Sequence, residues 1–269
     1  MIGKTRILAA TFVLLIAQRG LNAAVLYDSG GFESPRFTNA VLQGQDPVFG
    51  PWLRDNTLST ATIQSSVVQA GTQAVRVDRA ADPNGDERWA VSKPIIPSTR
   101  YVTVSWDENV TKTVLPGVAF GPLFGVEAYD DNGTATPSLI GSSFIDSSTG
   151  DVLFQQHTTG VLIETGVKTA FGQWNHFALQ ADYNTSTYQL LMNGIQIASN
   201  GFVDSGIIGF SDAPLATVAF TDTAANAAAS GTAYFDNYAI NTTNTPEPTM
   251  VGFLGLAVLG LGSRRRRPR

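Results

Sequence analysis

The stretch Tyr188-Gln189-Leu190-Leu191-Met192-Asn193-Gly194-Ile195-Gln196-Ile197-Ala198 decides the architecture. Two short runs of strand-forming residues flank Asn193-Gly194. Asn and Gly both accept positive φ, so the pair predicts a two-residue hairpin with a type I′ turn. Working outward, the same texture recurs. Tyr101 to Trp106 alternates cleanly, and Val118 to Tyr129 predicts a strand interrupted near Gly121-Pro122. Val152–Phe154, Val161–Ile163, Trp174–Ala181, Ile207–Phe210 and Ala233–Ile240 complete the set. Helical periodicity is nearly absent. Thr221–Ser230 reads as a loop, with room for one helical turn over Ala224–Ala229. Many short strands separated by Gly, Asn, Asp and Pro predict an all-β sandwich of jelly-roll type over residues 24–242.

Both ends of the chain read differently. Lys4 and Arg6 precede an apolar stretch from Ile7 to Ala17, and the small residues Ala23 and Ala24 follow. That order predicts a secretory signal peptide over residues 1–23, with its short apolar helix. At the other end, Pro246-Glu247-Pro248 is followed by an apolar run from Met250 to Gly262 and then by Arg264, Arg265, Arg266 and Arg267. The two prolines keep the triplet extended and out of any helix. The apolar helix expected next is shorter than the ~20 residues that span a bilayer comfortably. Four arginines resist translocation and act as a membrane stop on the cytoplasmic side.

This arrangement over residues 243–269 resembles the PEP-CTERM sorting signal of exported bacterial proteins. The resemblance implies processing by an exosortase, a membrane cysteine protease, at the Pro246-Glu247-Pro248 motif. It also implies a route: export, transient anchoring in the inner membrane, then release to the cell surface or extracellular matrix. The alternative is a permanent short anchor. Phe32-Glu33, Gly44-Gln45 and Trp52 resemble the opening of many proteins with this tail. Gln173–Leu179, Asp182-Tyr183, Tyr188–Leu190 and Asn193-Gly194 resemble laminin-G-like, concanavalin-like jelly rolls, and Gly231–Ile240 resembles their final strand. Such sandwiches host lectins, glycoside hydrolases and inert adhesion modules alike, so fold alone assigns no activity.

Charge narrows the partners. Of 17 Lys and Arg, three precede residue 24 and five follow residue 263, leaving nine; of 22 acids only Glu247 lies in the tail, leaving 21. The domain therefore carries a formal charge of −12. Nucleic acid is excluded as a partner, because phosphate binding needs clustered Lys and Arg. Calcium and neutral glycans are compatible. The chain has no cysteine, which removes thiol nucleophiles, Cys-ligated zinc and disulfide staples.

Catalytic patterns are absent. Jelly-roll hydrolases need two carboxylates about 5–10 Å apart, often as Glu-x-Asp-x-x-Glu on one strand. The nearest approach is Glu127-Ala128-Tyr129-Asp130, with Asp130 expected in a turn; Asp107 and Glu108 are adjacent and should face opposite ways. His157 and His176 are the only histidines, and no Gly-x-Ser-x-Gly elbow exists. The chain is read as non-catalytic.

Calcium is the one cofactor these residues suggest, since it takes Asp, Asn and carbonyl oxygens in loops. One candidate is Asp82, Asn84 and Asp86, for which a plain polar turn is the alternative. The other pairs Glu33, near the first strand, with Asp236 on the last, for which hydrogen-bonded strand ends are the alternative. Sugar binding needs exposed aromatics beside polar groups. Trp89, Tyr129 and Asn132 are the candidates, while Trp106 and Trp174 are expected in the core. Four Asn-x-Ser/Thr sites, at Asn109, Asn132, Asn184 and Asn241, are read as incidental turn residues. The expected function is a structural or adhesive surface module, with extracellular polysaccharide or matrix proteins as partners. A calcium-assisted carbohydrate-binding module is the alternative, and a glycoside hydrolase the third reading.

Replacing Pro246, Glu247 and Pro248 together by Ala is expected to leave the tail attached. Intact-mass analysis of the exported protein checks this; normal trimming of the variant would overturn the sorting assignment.

Overall fold

The computed structural model describes residues 24–95, 100–131 and 136–244. The expected signal peptide, Pro246-Glu247-Pro248, Arg264–Arg267 and Asn132 lie outside the described residues. The strands are Ala24–Asp28 (β1), Leu53–Arg54 (β2), Thr60–Gln64 (β3), Ala74–Arg79 (β4), Glu87–Ala90 (β5), Tyr101–Val110 (β6), Leu123–Asp130 (β7) and Ser138–Asp146 (β8). They continue with Asp151–Gln155 (β9), Leu162–Lys168 (β10), Asn175–Asp182 (β11), Thr187–Met192 (β12), Ile195–Gly201 (β13), Leu215–Val218 (β14) and Gly231–Thr243 (β15). All the pairings are antiparallel.

Two sheets face each other. The first runs β13-β12-β11-β6-β15-β4-β3, with β1 added against the far half of β15; the second runs β10-β9-β8-β7-β14-β5-β2. This is the all-β jelly-roll sandwich that the strand texture predicts. Asn193 and Gly194 have φ of 52° and 76° and close the β12–β13 hairpin as expected. The helical turn is Ala224–Ala227, capped by Thr223, whose side chain accepts the Asn226 N–H.

Alternation places the core. Val75 and Val77 of β4 point inward while Arg76 and Asp78 form an ion pair outside. Trp106 is fully buried and stacks on Phe177 at 5.7 Å across the β6–β11 pair. The final strand departs from strict alternation. Ala233 and Phe235 are buried, but so are Tyr238 and Ile240, which requires one extra residue between them. A bulge between Asp236 and Ala239 supplies it, with Asn237 at φ 49°. Asn is among the few side chains that tolerate this region.

The opening segment, Phe32-Glu33 to Trp52, is a plug for one edge of the core. Tyr27, Trp52 and Tyr238 pack edge-on, and Phe32 meets Trp52 at a tilt, with centroids 5.4–5.9 Å apart. The Trp52 indole N–H donates to the Tyr27 hydroxyl at 2.9 Å. The Gln45 amide is a template for the backbone beside it: it accepts the Thr38 N–H and donates to the Thr38, Ala40 and Val41 carbonyls. Truncating a buried ring such as Trp52 to Ala costs about 3–5 kcal/mol in a packed core.

Some expectations are corrected. Ile207–Phe210 is not a strand; only Phe210 makes an isolated bridge, to Ile95. Trp174 is half-buried just before β11 instead of in the core. Asp130 ends β7 and is buried, because its carboxylate accepts the Ile208 and Gly209 N–H groups. Asn109 and Asn241 lie within strands, where ladder pairing to β15 and β6 defines them, so they are not turn residues.

Candidate functional site

The outer face of the second sheet holds the site. On β5, Glu87 and Trp89 point into the sandwich, so Arg88 and Ala90 point out. Two strands away on β7, Val126 and Ala128 pack in the core, and Glu127 and Tyr129 share the outer side. Between them, β14 starts at Leu215 after Asp212 and Pro214. Pairing of β2, β5, β14 and β7 thus gathers residues that are far apart in the chain.

Together they surround a cavity of about 480 Å³, lined by Leu53, Arg54, Asp55, Arg88, Ala90, Tyr129, Pro137, Asp212 and Pro214. That lies within the usual range for small-ligand sites, ~300–1,000 Å³. Arg88 organises one wall. Its Nε and Nη2 donate to both Glu127 oxygens at 2.5 and 3.3 Å, and its Nη1 lies 3.6 Å from Asp55. The backbone N–H of Arg88 also donates to Asp55, at 2.8 Å. Burial opposes the guanidinium charge, but the Glu127 carboxylate outweighs it and raises the Arg88 pKa. Arg54 lies 3.7 Å from the buried Glu87.

Tyr129 is half-buried beside this pair, and burial, then the Glu127 charge, raises its phenol pKa. Asp212 is different again. Burial, with the Asp131 charge adding to it, pushes its carboxyl up to about 6. The cavity therefore holds one carboxylate clamped by arginine and one carboxyl that titrates near neutrality.

Further along the same side of the sheet, Leu123, Phe144, Leu153 and Ala216 form a small buried apolar cluster, covered by Leu162, Val218 and Phe220. It ends at a second hollow of about 310 Å³ between Phe120, Phe220 and Leu162, rimmed by Asp146, Asp151, Glu164 and Asp222.

The sequence candidates divide. Tyr129 lines the cavity. Trp89 does not: it is 1% exposed and belongs to the core, because the β5 alternation that turns Arg88 outward turns Trp89 inward. Sequence reasoning missed Arg88, Asp55 and Asp212. The inward Trp89 is the signal that identifies Arg88, but nothing local marks the other two.

Asp82, Asn84 and Asp86 form a turn whose oxygens are engaged. Asp82 accepts the Asn84 N–H, and Asp86 accepts from the buried Arg79 at 2.8 Å and from the Ala219 N–H. A guanidinium occupies the place beside Asp86 that a metal would need, so this set does not fit calcium. Glu33 and Asp236 are brought to one loop. Glu33 accepts from the Thr72 N–H, the Thr72 hydroxyl and the Gln73 N–H at 2.6, 2.5 and 3.0 Å. Asp236 accepts the Gln69 and Ala70 N–H groups at 3.1 and 3.2 Å, and the Asn237 N–H at 2.8 Å. Burial opposes the Glu33 charge, but those donors hold its pKa below the ordinary value; burial, despite its N–H donors, leaves Asp236 raised. A Cβ built on Gly31 would lie 3.4 Å from Asn237 Oδ1 and 3.5 Å from Asp236 Oδ1. All four carboxylate oxygens thus already accept an N–H or O–H, which is the hydrogen-bonded alternative. Among the described residues, no three His, Asp or Glu side chains cluster as metal ligands, so a cation here would have to draw on main-chain oxygens as well.

On the outer face of the first sheet, His176 Nδ1 lies 2.8 Å from Asp107, whose other oxygen accepts from the Asn237 amide at 2.7 Å. Glu108, its neighbour, points the other way and is fully buried against the Trp106 indole N–H. Burial raises its pKa well above the usual carboxylate range.

Comparisons with known proteins agree with the fold and the tail. Residues 244–267 match the PEP-CTERM protein-sorting motif. No curated protein matches the chain. Among solved structures, the cellulose induced protein Cip1 is similar, with a TM-score of 0.52 and 14% identity over 72% of this chain and 91% of that one. An endo-β-1,4-glucuronan lyase from the fungus Trichoderma reesei follows at TM-score 0.51 and 14% identity, over 76% and 94%. A conserved carbohydrate esterase from the Shiga toxin-encoding bacteriophage phi24B scores 0.51 at 12% identity, over 83% and 99%. At such identities the likeness is one of fold.

The class is thus an antiparallel β-sandwich of jelly-roll type. This particular chain is an exported protein that joins such a sandwich to a PEP-CTERM sorting signal of the kind exosortases process.

The raised Asp212 pKa makes a signed prediction. The folded carboxyl binds its proton more tightly than the unfolded one, so it favours folding below about pH 4, and that contribution is lost as pH rises through about 6. Moving from an ordinary 3.8 to about 6, at about 1.4 kcal/mol per pKa unit, sets a ceiling of about 3 kcal/mol. Asp212→Asn removes this dependence, so the variant should gain on the wild type between pH 4 and pH 7. Urea denaturation at both ends checks this; a difference independent of pH would count against it.

Proposed function

We propose that this is a non-catalytic surface or matrix module that holds a carbohydrate chain in the cleft on the outer face of the second sheet. The observation that carries the reading is the cavity beside Tyr129, where a half-buried ring and the apolar Leu53 and Pro214 meet Asp55, Arg88 and Asp212. Pyranose rings stack their C–H faces on such rings and give their hydroxyls to such polar groups. The lyase and the esterase of similar fold act on carbohydrates, which supports the same class of ligand here. Delivery follows from the tail: exosortase cleavage frees the sandwich from a transient membrane anchor.

Hydrolysis is the second reading, favoured by one observation. With its carboxyl pushed up to about 6, Asp212 holds its proton in mildly acidic solution, as a general acid must. Its companion Glu127 is clamped by Arg88, which leaves it poorly placed as a nucleophile or base.

The test is a polysaccharide panel with the sandwich, residues 24–244. Tyr129→Ala should weaken binding at least tenfold without altering the fold. Reducing-sugar release that Asp212→Asn abolishes would replace the binding reading with the hydrolytic one.

We also propose that Glu33 and Asp236 hold a structural calcium ion. A cation would offset the charge that burial penalises at Asp236. Added calcium should raise the melting temperature by several degrees; identical melts with calcium and with EGTA would overturn the proposal.

A further inference from the structure

We infer that the cleft on the second sheet selects neutral polysaccharide and rejects uronate-rich polysaccharide; the inference rests on the carbohydrate-binding reading above. Recognition of a carboxylated sugar needs a guanidinium or ammonium with free donors, because a bidentate charge-assisted pair supplies both strength and geometry. The nine Lys and Arg of residues 24–244 are all described, and each already faces an acidic, carbonyl or aromatic partner. Arg36 pairs with Asp46, Arg54 with Glu87, Arg76 with Asp78, and Arg79 with Asp86. Arg88 pairs with Asp55 and Glu127, Arg100 with Asp182, and Lys168 with Asp151. Lys93 donates to the Phe49 carbonyl, and Lys112 lies 5.7 Å from the centre of the Phe171 ring.

The cleft repeats this balance locally. Its lining sets two cations, Arg54 and Arg88, against two acids, Asp55 and Asp212, so the cleft has no excess positive charge once Asp212 ionises. It sits on a domain whose formal charge is −12. A polyanion approaching it is repelled by the summed field of the domain. To bind, it would have to take Arg88 from Glu127, leaving a nearly buried carboxylate without its partner. A neutral sugar meets no such barrier. Its hydroxyls donate to the Asp55 and Asp212 oxygens, and its ring packs on Tyr129 and on Leu53, which is 55% exposed.

The experiment measures binding of the full exported chain to neutral gluco- and manno-oligosaccharides and to oligouronates of equal length, at low and at physiological salt. The expected result is a neutral ligand bound at least tenfold more tightly, with Tyr129→Ala abolishing the binding. Glu127→Gln and the exposed-site Asp55→Asn each release part of Arg88, and each should raise oligouronate affinity several-fold at low salt. Oligouronate binding equal to or tighter than neutral binding in the unaltered chain, sensitive to Tyr129→Ala, would overturn the inference and leave the carbohydrate reading intact. Neutral binding insensitive to Tyr129→Ala would place the ligand elsewhere and overturn it too. Failure of both ligand classes to bind would sink the carbohydrate reading itself, and the inference with it.

Discussion

One extra residue in the last strand holds this sandwich together. Strand β15 is shared by three partners: β4 on one flank of its first half, β1 on one flank of its second, and β6 along the other side. A regular strand could not bury both Phe235 and Tyr238, which lie three apart. The bulge at Asp236-Asn237 resets the alternation between them, so that Phe235 fills the core against β4 while Tyr238 joins Tyr27 and Trp52. The residues at the bulge are then put to use. Asn237 reaches Asp107 on β6, which holds His176 on β11, and Asp236 receives the 69–70 loop. The irregularity is therefore a junction joining three strands and a loop.

A cysteine-free exported domain has only burial and hydrogen bonding to resist unfolding. Here the aromatic edge around Trp52 does what a disulfide does in smaller domains. It fastens a long irregular opening segment to the last strand. Arg79 fastens another, donating from a fully buried guanidinium to the Ala227 and Ala229 carbonyls and to Asp86. In both, hydrogen bonds offset the burial of polar groups inside apolar packing, although the Arg79 Nε itself has no partner.

The parts legible in the sequence are those whose signal is local. Asn193-Gly194 specifies its turn by backbone conformation alone, and the alternating runs around it locate β11, β12 and the start of β6. Strands β5 and β8 were not legible for opposite reasons. Glu87-Arg88-Trp89-Ala90 carries two charges that normally argue against a strand, and only distant partners neutralise them: the Ser59 N–H and Arg54 for Glu87, Glu127 for Arg88. Ser138–Asp146 is buried on both faces, so its Ser and Gly residues do not alternate with apolar ones. The cleft was legible only at Tyr129. Asp55, Arg88 and Asp212 are more than thirty residues apart and meet through sheet pairing, which no window along the chain displays. Trp89, a ligand candidate on sequence, lies on the core side of β5, and a one-residue step in a strand is enough to exchange core for ligand surface.

The pairing of Ala24 with Thr242 sets the geometry of delivery. The first residue after the expected signal peptide and the last residues before the sorting motif are partners on adjacent strands, about 5 Å apart. A domain whose two ends leave from one spot can be tethered at both without being stretched between them. Any attachment made through either end, or through both, would therefore hold the molecule by the same corner of the first sheet, where β1 lies against β15.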